Sequence, residues 1–269
     1  MGLFGEGGQL AKMSFGVIRK DKEILIFPLL SVAVSGMVIA VLMVWIYFMG
    51  LNGFFTLPGI FLLVISGFVL IFINVYFDVA VIGCAMIRFE GGDPTVRDGF
   101  RTSNRHLGAI FKWAIISVTV GLILGAIQRI LKEFGRTIAW LGGLSWDIAT
   151  YFAVPVFVYE ETSGLGAVKR SVHLLKTTWG HMFVSEVSVG LIFVLPAIFG
   201  FVPIGLGIAL GGLWGAIIGF IIAIFYWAVL ISIISAVDSV LSAALYRFAM
   251  TGLWDKIQFS FQLTASPFK

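Results

Sequence analysis

The residues of this sequence with the most distinctive chemistry are a few polar side chains that interrupt long apolar runs. They are four acids and one amide: Asn74, Asp78, Asp147, Glu186 and Asp238. An ionised carboxylate is costly in apolar surroundings unless it is paired or neutralised. Together these five residues predict a candidate polar site for a proton, a cation or an amine.

A structural interpretation of the same acids stays open. They can pair with Lys and Arg of nearby surface helices, or hydrogen-bond to neighbouring helices when they are neutral. Asp78, Glu186 and Asp238 each lie within ten residues of a basic or histidine side chain on the predicted cytoplasmic side. Asp147 is instead predicted in the middle or outer half of its span. Asp147 is therefore the acid that this interpretation explains least.

Other signals of catalysis are absent from the sequence. His106, His173 and His181 form no HExxH pair, and no GxSxG or phosphate-loop motif occurs. The single Cys84 excludes an internal disulfide. We therefore expect no enzymatic activity, no cofactor and no metal site.

The composition of the chain indicates what surrounds these polar residues. The chain has 269 residues, of which 59% are hydrophobic and only 12% charged, and its mean hydropathy is +1.05. The 54 residues between Glu23 and Asp78 and the 51 between Glu186 and Asp238 carry no charge. About 20 apolar residues cross a bilayer, so each run can cross twice. The composition excludes a soluble enzyme, a disordered chain and a nucleic-acid binder, and it predicts a multi-pass membrane protein.

Apolar runs and their breakers predict six spans, at about 24–49, 58–87, 107–127, 138–159, 181–201 and 213–245. With six spans, fifteen Lys and Arg side chains fall on the side of the termini and three on the other side. Basic residues concentrate in cytoplasmic loops. The sequence thus predicts a cell-membrane protein with both termini in the cytoplasm.

A repeated pattern precedes the spans. Residues 96–108 align with residues 168–180, and residues 10–19 are a weaker third copy. Each copy reads as a basic amphipathic helix in the inner interface, followed by a helical hairpin. This predicts a single all-α membrane domain over 1–269, with units at about 9–87, 94–159 and 166–250 and a cytoplasmic tail at 251–269. A connector that packs on the spans without touching lipid is the alternative for each surface helix.

Basic side chains of these helices are candidate contacts for lipid headgroups. They are Arg97, Arg101, Arg105, Lys169, Arg170 and Lys176. Small residues at four-residue spacing indicate close helix packing, either within one chain or between subunits. The glycines concerned are Gly121, Gly125, Gly211, Gly215 and Gly219.

Three segments carry a resemblance to known proteins: 19–30, 88–95 and 245–249. Over nearly the whole chain, the sequence resembles an uncharacterised family of six-span membrane proteins from bacteria and archaea. The segment 164–171 before Trp179 and Gly180 more distantly resembles the membrane domain fused to some glycerophosphodiester phosphodiesterases. The catalytic acids of those enzymes lie in a separate domain that this sequence lacks, so the resemblance implies an architecture and no activity.

Two functions follow as hypotheses. The first is a structural or accessory subunit whose partners are membrane lipids and other membrane subunits or further copies of the chain, with no nucleic acid. The alternative is a small transporter or channel that moves a proton, cation or amine by way of the intramembrane acids.

Overall fold

The computed structural model describes residues 3–162 and 164–251, with the backbone alone for residues 3–11, 55 and 132–134. These residues form helices and no strand, which confirms the predicted all-α class. The predicted tail, residues 252–269, lies outside the described residues. The α-helices are α1 Leu3–Lys20, α2 Ile26–Met49, α3 Leu57–Phe89, α4 Val96–Arg105, α5 Leu107–Ile130, α6 Lys132–Ala149, α7 Ala153–Tyr159, α8 Leu165–Phe199 and α9 Val202–Thr251.

Within the described residues, five segments are long and apolar enough to cross a membrane. They are Lys22–Met49, Leu57–Phe89, Leu107–Ile130, Gly135–Tyr159 and Leu165–Thr251. The last segment has 87 residues and contains both α8 and α9. The chain is therefore a helical, multi-pass membrane protein by the length and composition of its helices.

Two predicted boundaries differ from the structure. The surface helix of the third unit is not a separate element, because α8 continues through Gly180 to Phe199. A single glycine weakens a helix by only about 1 kcal/mol. The predicted span at 138–159 is divided at residues 150–152 into α6 and α7. Pro155 explains this break, since its nitrogen cannot donate to the carbonyl of Tyr151 and its ring clashes with that turn.

The C-terminal half of α3, which we call its inner half, is the centre of the core. Every residue from Val79 to Met86 is buried, while the outer half of the same helix exposes large apolar side chains such as Leu57 and Phe61. Helices α2, α4, α5, α7 and α9 all pack against α3. The molecule thus has a compact inner half, and an outer half whose apolar surface suits contact with lipid tails.

Helix α4 lies against the inner half of α3 instead of standing apart from it. The Ser103 hydroxyl donates to the Tyr76 carbonyl at 2.6 Å, and the side chain of Thr102 lies beside Gly83. Gly99 and Ser103 are buried, whereas Arg97, Arg101 and Arg105 on the other face are exposed. The basic face of α4 therefore points away from the core.

A buried guanidinium connects three segments of the inner half. Arg88, near the end of α3, donates to the Asp21 carboxylate after α1 and to the Asp93 carboxylate before α4. The side chains of Arg88 and Asp21 are each only 7% exposed, whereas that of Asp93 is 90% exposed. Burial makes the Arg88–Asp21 pair the more consequential of the two, because exposed ion pairs contribute little.

Removing this guanidinium is expected to destabilise the inner half strongly. Arg88→Met leaves the Asp21 carboxylate buried without its partner, and breaking a buried pair in this way costs about 3–5 kcal/mol. The measurement is the midpoint of thermal unfolding of the purified protein in detergent. Arg97→Met is the matched control, because Arg97 is exposed on α4. Equal midpoints for the two variants would show that the buried pair does not hold the fold together.

Candidate functional site

Three of the acids singled out in the sequence come from three different helices. Asp78 of α3 accepts a hydrogen bond from the Ser239 hydroxyl of α9 at 3.0 Å. Glu186 of α8 accepts one from the Tyr151 hydroxyl at 2.6 Å. Asp238 precedes Ser239 on α9 and interacts electrostatically with both Glu186 and Asp78. The tertiary structure thus gathers Asp78, Glu186 and Asp238 into one group, which we call the acidic group.

A cavity of about 300 Å³ adjoins the acidic group between α8 and α9. Glu186 and Asp238 are the charged residues of its lining, and the remaining lining residues are apolar or glycine: Val189, Gly190, Phe193, Val194, Ala197 and Ile234. Carboxylates on an apolar wall can hold a proton, or a cation or amine that has lost part of its hydration shell. The cavity volume suits a small ion or amine with a few waters.

The other two members of the predicted polar site are placed differently. The Asn74 side chain accepts from the Ser31 hydroxyl at 3.1 Å and donates to the Leu70 carbonyl at 2.7 Å, one turn from Asp78 on α3. Asp147 lies on an exposed face of α6 and is not among the residues lining the cavity. The structure therefore brings Asn74 near the acidic group and leaves Asp147 apart.

The hydrogen-bond partners of Asp78 and Glu186 are hydroxyl groups. In the part of the chain that the structure describes, the ion pairs join Arg88, Arg105 and Arg170 to other acids, and none includes Asp78, Glu186 or Asp238. The same described residues contain no group of three His, Cys, Asp or Glu side chains arranged to hold a metal ion. Hydrogen bonds from hydroxyl groups thus hold Asp78 and Glu186, and no basic side chain among the described residues forms an ion pair with the acidic group.

The basic residues predicted to contact lipid headgroups lie on the inner half. Arg97, Arg101, Arg105, Lys169 and Lys176 are exposed. Arg170 differs, because its Nε donates to the Glu160 carboxylate at 2.8 Å and its guanidinium also reaches the Met250 sulfur. Arg170 of α8 therefore contacts Glu160 after α7 and the last turn of α9, and it is only partly available to lipid.

The start of α4 fixes the orientation of its basic face. The Thr95 hydroxyl and backbone N–H both donate to the Asp98 carboxylate, at 2.6 and 3.0 Å, and the Asp98 N–H donates back to Thr95. This is a capping box. The hydrogen bond from the Thr95 side chain holds the pKa of Asp98 below its usual range. Asp98 is therefore ionised at neutral pH, with its carboxylate already engaged by Thr95.

A polar cleft of about 480 Å³ lies beside α4, between the end of α3 and the end of α7. Its charged lining residues are Glu90, Asp98, Arg101, Arg105 and Glu161, and His106 and Tyr159 also contribute. Glu161 adopts a φ of 51°, a left-handed conformation that is uncommon for residues other than glycine. We call this feature the inner cleft.

The predicted packing glycines fall into two groups. Positions 207 and 215 approach so closely that a Cβ on Gly215 would lie 2.1 Å from the Gly207 carbonyl oxygen, and one on Gly219 would lie 2.2 Å from that of Pro203. Gly212, with a φ of 56°, reverses the chain between these segments. Residues 202–211 therefore fold back on the rest of α9 as a tight hairpin. A Cβ on Gly121, Gly125 or Gly211 would meet no atom within 4 Å.

Residues 53–255 match a family described as a family of unknown function, DUF6159. The chain belongs to this family. No curated protein and no solved structure matches it, and the distant resemblance to the membrane domain of glycerophosphodiester phosphodiesterases stays a prediction.

Several residues that shape these sites carry no signal in the sequence alone. Tyr151 and Ser239 are the hydrogen-bond partners of the acids, and Glu90 and Glu161 line the inner cleft. A tyrosine or serine within an apolar run is common, so its type and spacing reveal nothing of its partner. Glu90 and Glu161 follow different helices, so no local pattern of the sequence relates them.

The hairpin in α9 gives a matched pair of glycine substitutions. Gly215→Ala forces the backbone of Gly207 to move, and overpacking of this kind costs about 1–3 kcal/mol. Gly211→Ala places its methyl group in open space, so the midpoint of thermal unfolding in detergent should stay unchanged or rise slightly. The inferred close packing of this hairpin is wrong if Gly215→Ala lowers the midpoint no more than Gly211→Ala does.

Proposed function

We propose that the protein crosses the cell membrane six times with both termini in the cytoplasm. The 87-residue segment supports two crossings, because α8 and the part of α9 after Gly212 run in opposite directions. The Tyr226 hydroxyl of α9 donates to the Pro196 carbonyl near the end of α8 at 2.6 Å, and Arg170 near the start of α8 reaches Met250 near the end of α9. In this topology the compact inner half faces the cytoplasm.

The three-unit organisation belongs to the same proposal. Helix α1 precedes the α2–α3 hairpin, and α4 precedes α5 and α6. In the third unit the surface helix is continuous with the first span as α8. We thus propose that each repeat is a surface helix followed by a helical hairpin, and that in the third repeat the surface helix and the first span form one continuous helix.

The function that we propose is a structural or accessory subunit that contacts membrane lipid and organises a larger membrane assembly. One observation carries it: exposed basic side chains lie on three separate elements next to the ends of apolar helices in the chain. They lie at the end of α1, on α4 and on the first part of α8, and they are Arg19, Lys20, Arg97, Arg101, Arg105, Lys169 and Lys176. A basic surface at this level attracts anionic headgroups by about 1 kcal/mol per side chain.

The topology is tested by labelling with a membrane-impermeant thiol reagent. Cys84 is buried, and Cys84→Ser provides a background for Arg97→Cys and Arg136→Cys, two exposed positions. The cysteine at position 97 should react only when the inner face is accessible, and that at position 136 only when the outer face is. Labelling of both from one face would exclude the proposed topology.

The role as a subunit is tested in native membranes. The full chain, extracted in a mild detergent after cross-linking, should migrate as a complex that contains a second subunit or further copies at a fixed ratio. A particle with one copy of the chain and lipid alone would contradict the proposal.

A second function, transport of a proton, cation or amine, is favoured by the acidic group and its cavity. Glu186 and Asp238 line the same space between two helices that differ in direction, and no basic side chain among the described residues neutralises them through an ion pair. Carboxylates in such a position characterise proton and cation pathways.

Transport is tested with the full chain in proteoliposomes that carry an imposed proton or methylammonium gradient. The wild-type protein should dissipate one of these gradients faster than protein-free vesicles do, and Asp238→Asn should remove the difference because it deletes the titratable group. Asp147→Asn is the matched control, since Asp147 lies on an exposed face of α6. Equal rates for the wild type and Asp238→Asn would exclude a transport role for the acidic group.

A further inference from the structure

The inner cleft lies where three apolar segments end. Glu90 directly follows Leu57–Phe89, His106 directly precedes Leu107–Ile130, and Tyr159 is the last residue of Gly135–Tyr159. In a bilayer, the ends of spanning helices lie at the level of the lipid headgroups. With the topology of the proposed function, on which this inference rests, the cleft opens at the inner headgroup level.

The walls of the inner cleft carry opposite charges. Arg101 and Arg105 lie one turn apart on α4, and His106 follows at its end. Glu90 after α3 and Glu161 after α7 contribute carboxylates from the other elements. Asp98 also lines the cleft, but Thr95 already occupies its carboxylate. The side chains available to a ligand are thus two guanidinium groups and two carboxylates.

These groups are only weakly committed to one another. Arg105 and Glu161 approach to 3.9 Å with side chains 76% and 82% exposed, which is an ion pair that water largely screens. No ion pair of Arg101 or Glu90 occurs among the described residues. A ligand with both charges can therefore replace the weak pair and engage both walls.

We propose that the inner cleft binds a phosphoethanolamine group, as the headgroup of phosphatidylethanolamine. The phosphate matches the planar, multiply donating guanidinium groups of Arg101 and Arg105. The primary ammonium has three donors and matches the carboxylates of Glu90 and Glu161. A cleft of about 480 Å³ is in the range of small-molecule sites.

The charges on the walls distinguish this headgroup from others. A phosphatidylglycerol headgroup has no cation, so it leaves Glu90 and Glu161 without a partner beside an added negative charge. A phosphatidylcholine headgroup has a cation without N–H donors, and such cations are recognised by cages of several aromatic rings. The aromatic rings among the residues that line the cleft are those of Tyr159 and His106, which do not make such a cage.

The test uses the purified full-length chain in phosphatidylcholine nanodiscs that contain a photoactivatable phosphatidylethanolamine or, in parallel, a photoactivatable phosphatidylglycerol. The wild type should cross-link to the phosphatidylethanolamine probe in preference, with adducts on peptides that line the inner cleft. Arg101→Gln combined with Arg105→Gln should lower this cross-linking by about tenfold or more, because it removes two charge-assisted contacts to phosphate.

Two further variants make the test specific. Arg97→Gln is the matched control, because Arg97 is exposed on the same helix and does not line the cleft; it should cross-link like the wild type. Glu90→Gln combined with Glu161→Gln should shift preference from phosphatidylethanolamine to phosphatidylglycerol. All of these side chains are on the surface, and unchanged thermal midpoints verify that the variants are folded.

Defined outcomes overturn the proposal. It is wrong if the wild type prefers the phosphatidylglycerol probe, or if the arginine pair can be replaced with no more effect than Arg97→Gln. Competition with soluble phosphoethanolamine identifies the source of the ligand: loss of the adduct at millimolar concentration would assign the cleft to the free compound, and persistence supports the lipid. The isolated chain suffices for this experiment, so its result is independent of whether native membranes yield a multisubunit complex.

Discussion

The inner half depends on the ion pairs of the buried Arg88 guanidinium. The guanidinium joins the segment after α1, the end of α3 and the loop before α4. A charge at this depth is tolerated only when its partners remain in place. The buried pair with Asp21 fixes the end of α3 against the segment after α1. Helix α4 then packs on the same half of α3 through Ser103 and Thr102, so the basic face and the inner cleft depend on several contacts of the central helix.

The division of α3 explains why the polar sites lie where they do. Its outer half offers apolar side chains to lipid, where a backbone or side-chain polar group has no water to bond. Its inner half is covered by protein on all sides, from Val79 to Met86. Asp78 lies at the junction, one residue before the buried stretch, and its partner Ser239 comes from α9. Polar groups thus accumulate at the boundary between lipid-facing and protein-covered helix.

The two proposed sites differ in how they hold charge. The acidic group lies between helices and relies on hydroxyl partners from Tyr151 and Ser239. The inner cleft lies at the ends of helices, and its charges are exposed and of both signs. A proton or small cation suits the first environment, and a zwitterionic headgroup suits the second, so the two proposals concern separate surfaces of the protein.

The sequence by itself determined the helical class, the apolar segments and the place along the chain of the basic segment that forms α4, because hydropathy and basic clusters are local patterns. It also pointed to the acids, since a charge is conspicuous in an apolar run. Tertiary structure alone decided that Asp78, Glu186 and Asp238 meet while Asp147 stays apart, that α8 is continuous, and that Arg88 pairs with Asp21. The physical reason is that helix packing sets which residues of distant segments share a space, and hydropathy is nearly the same on every face of these helices.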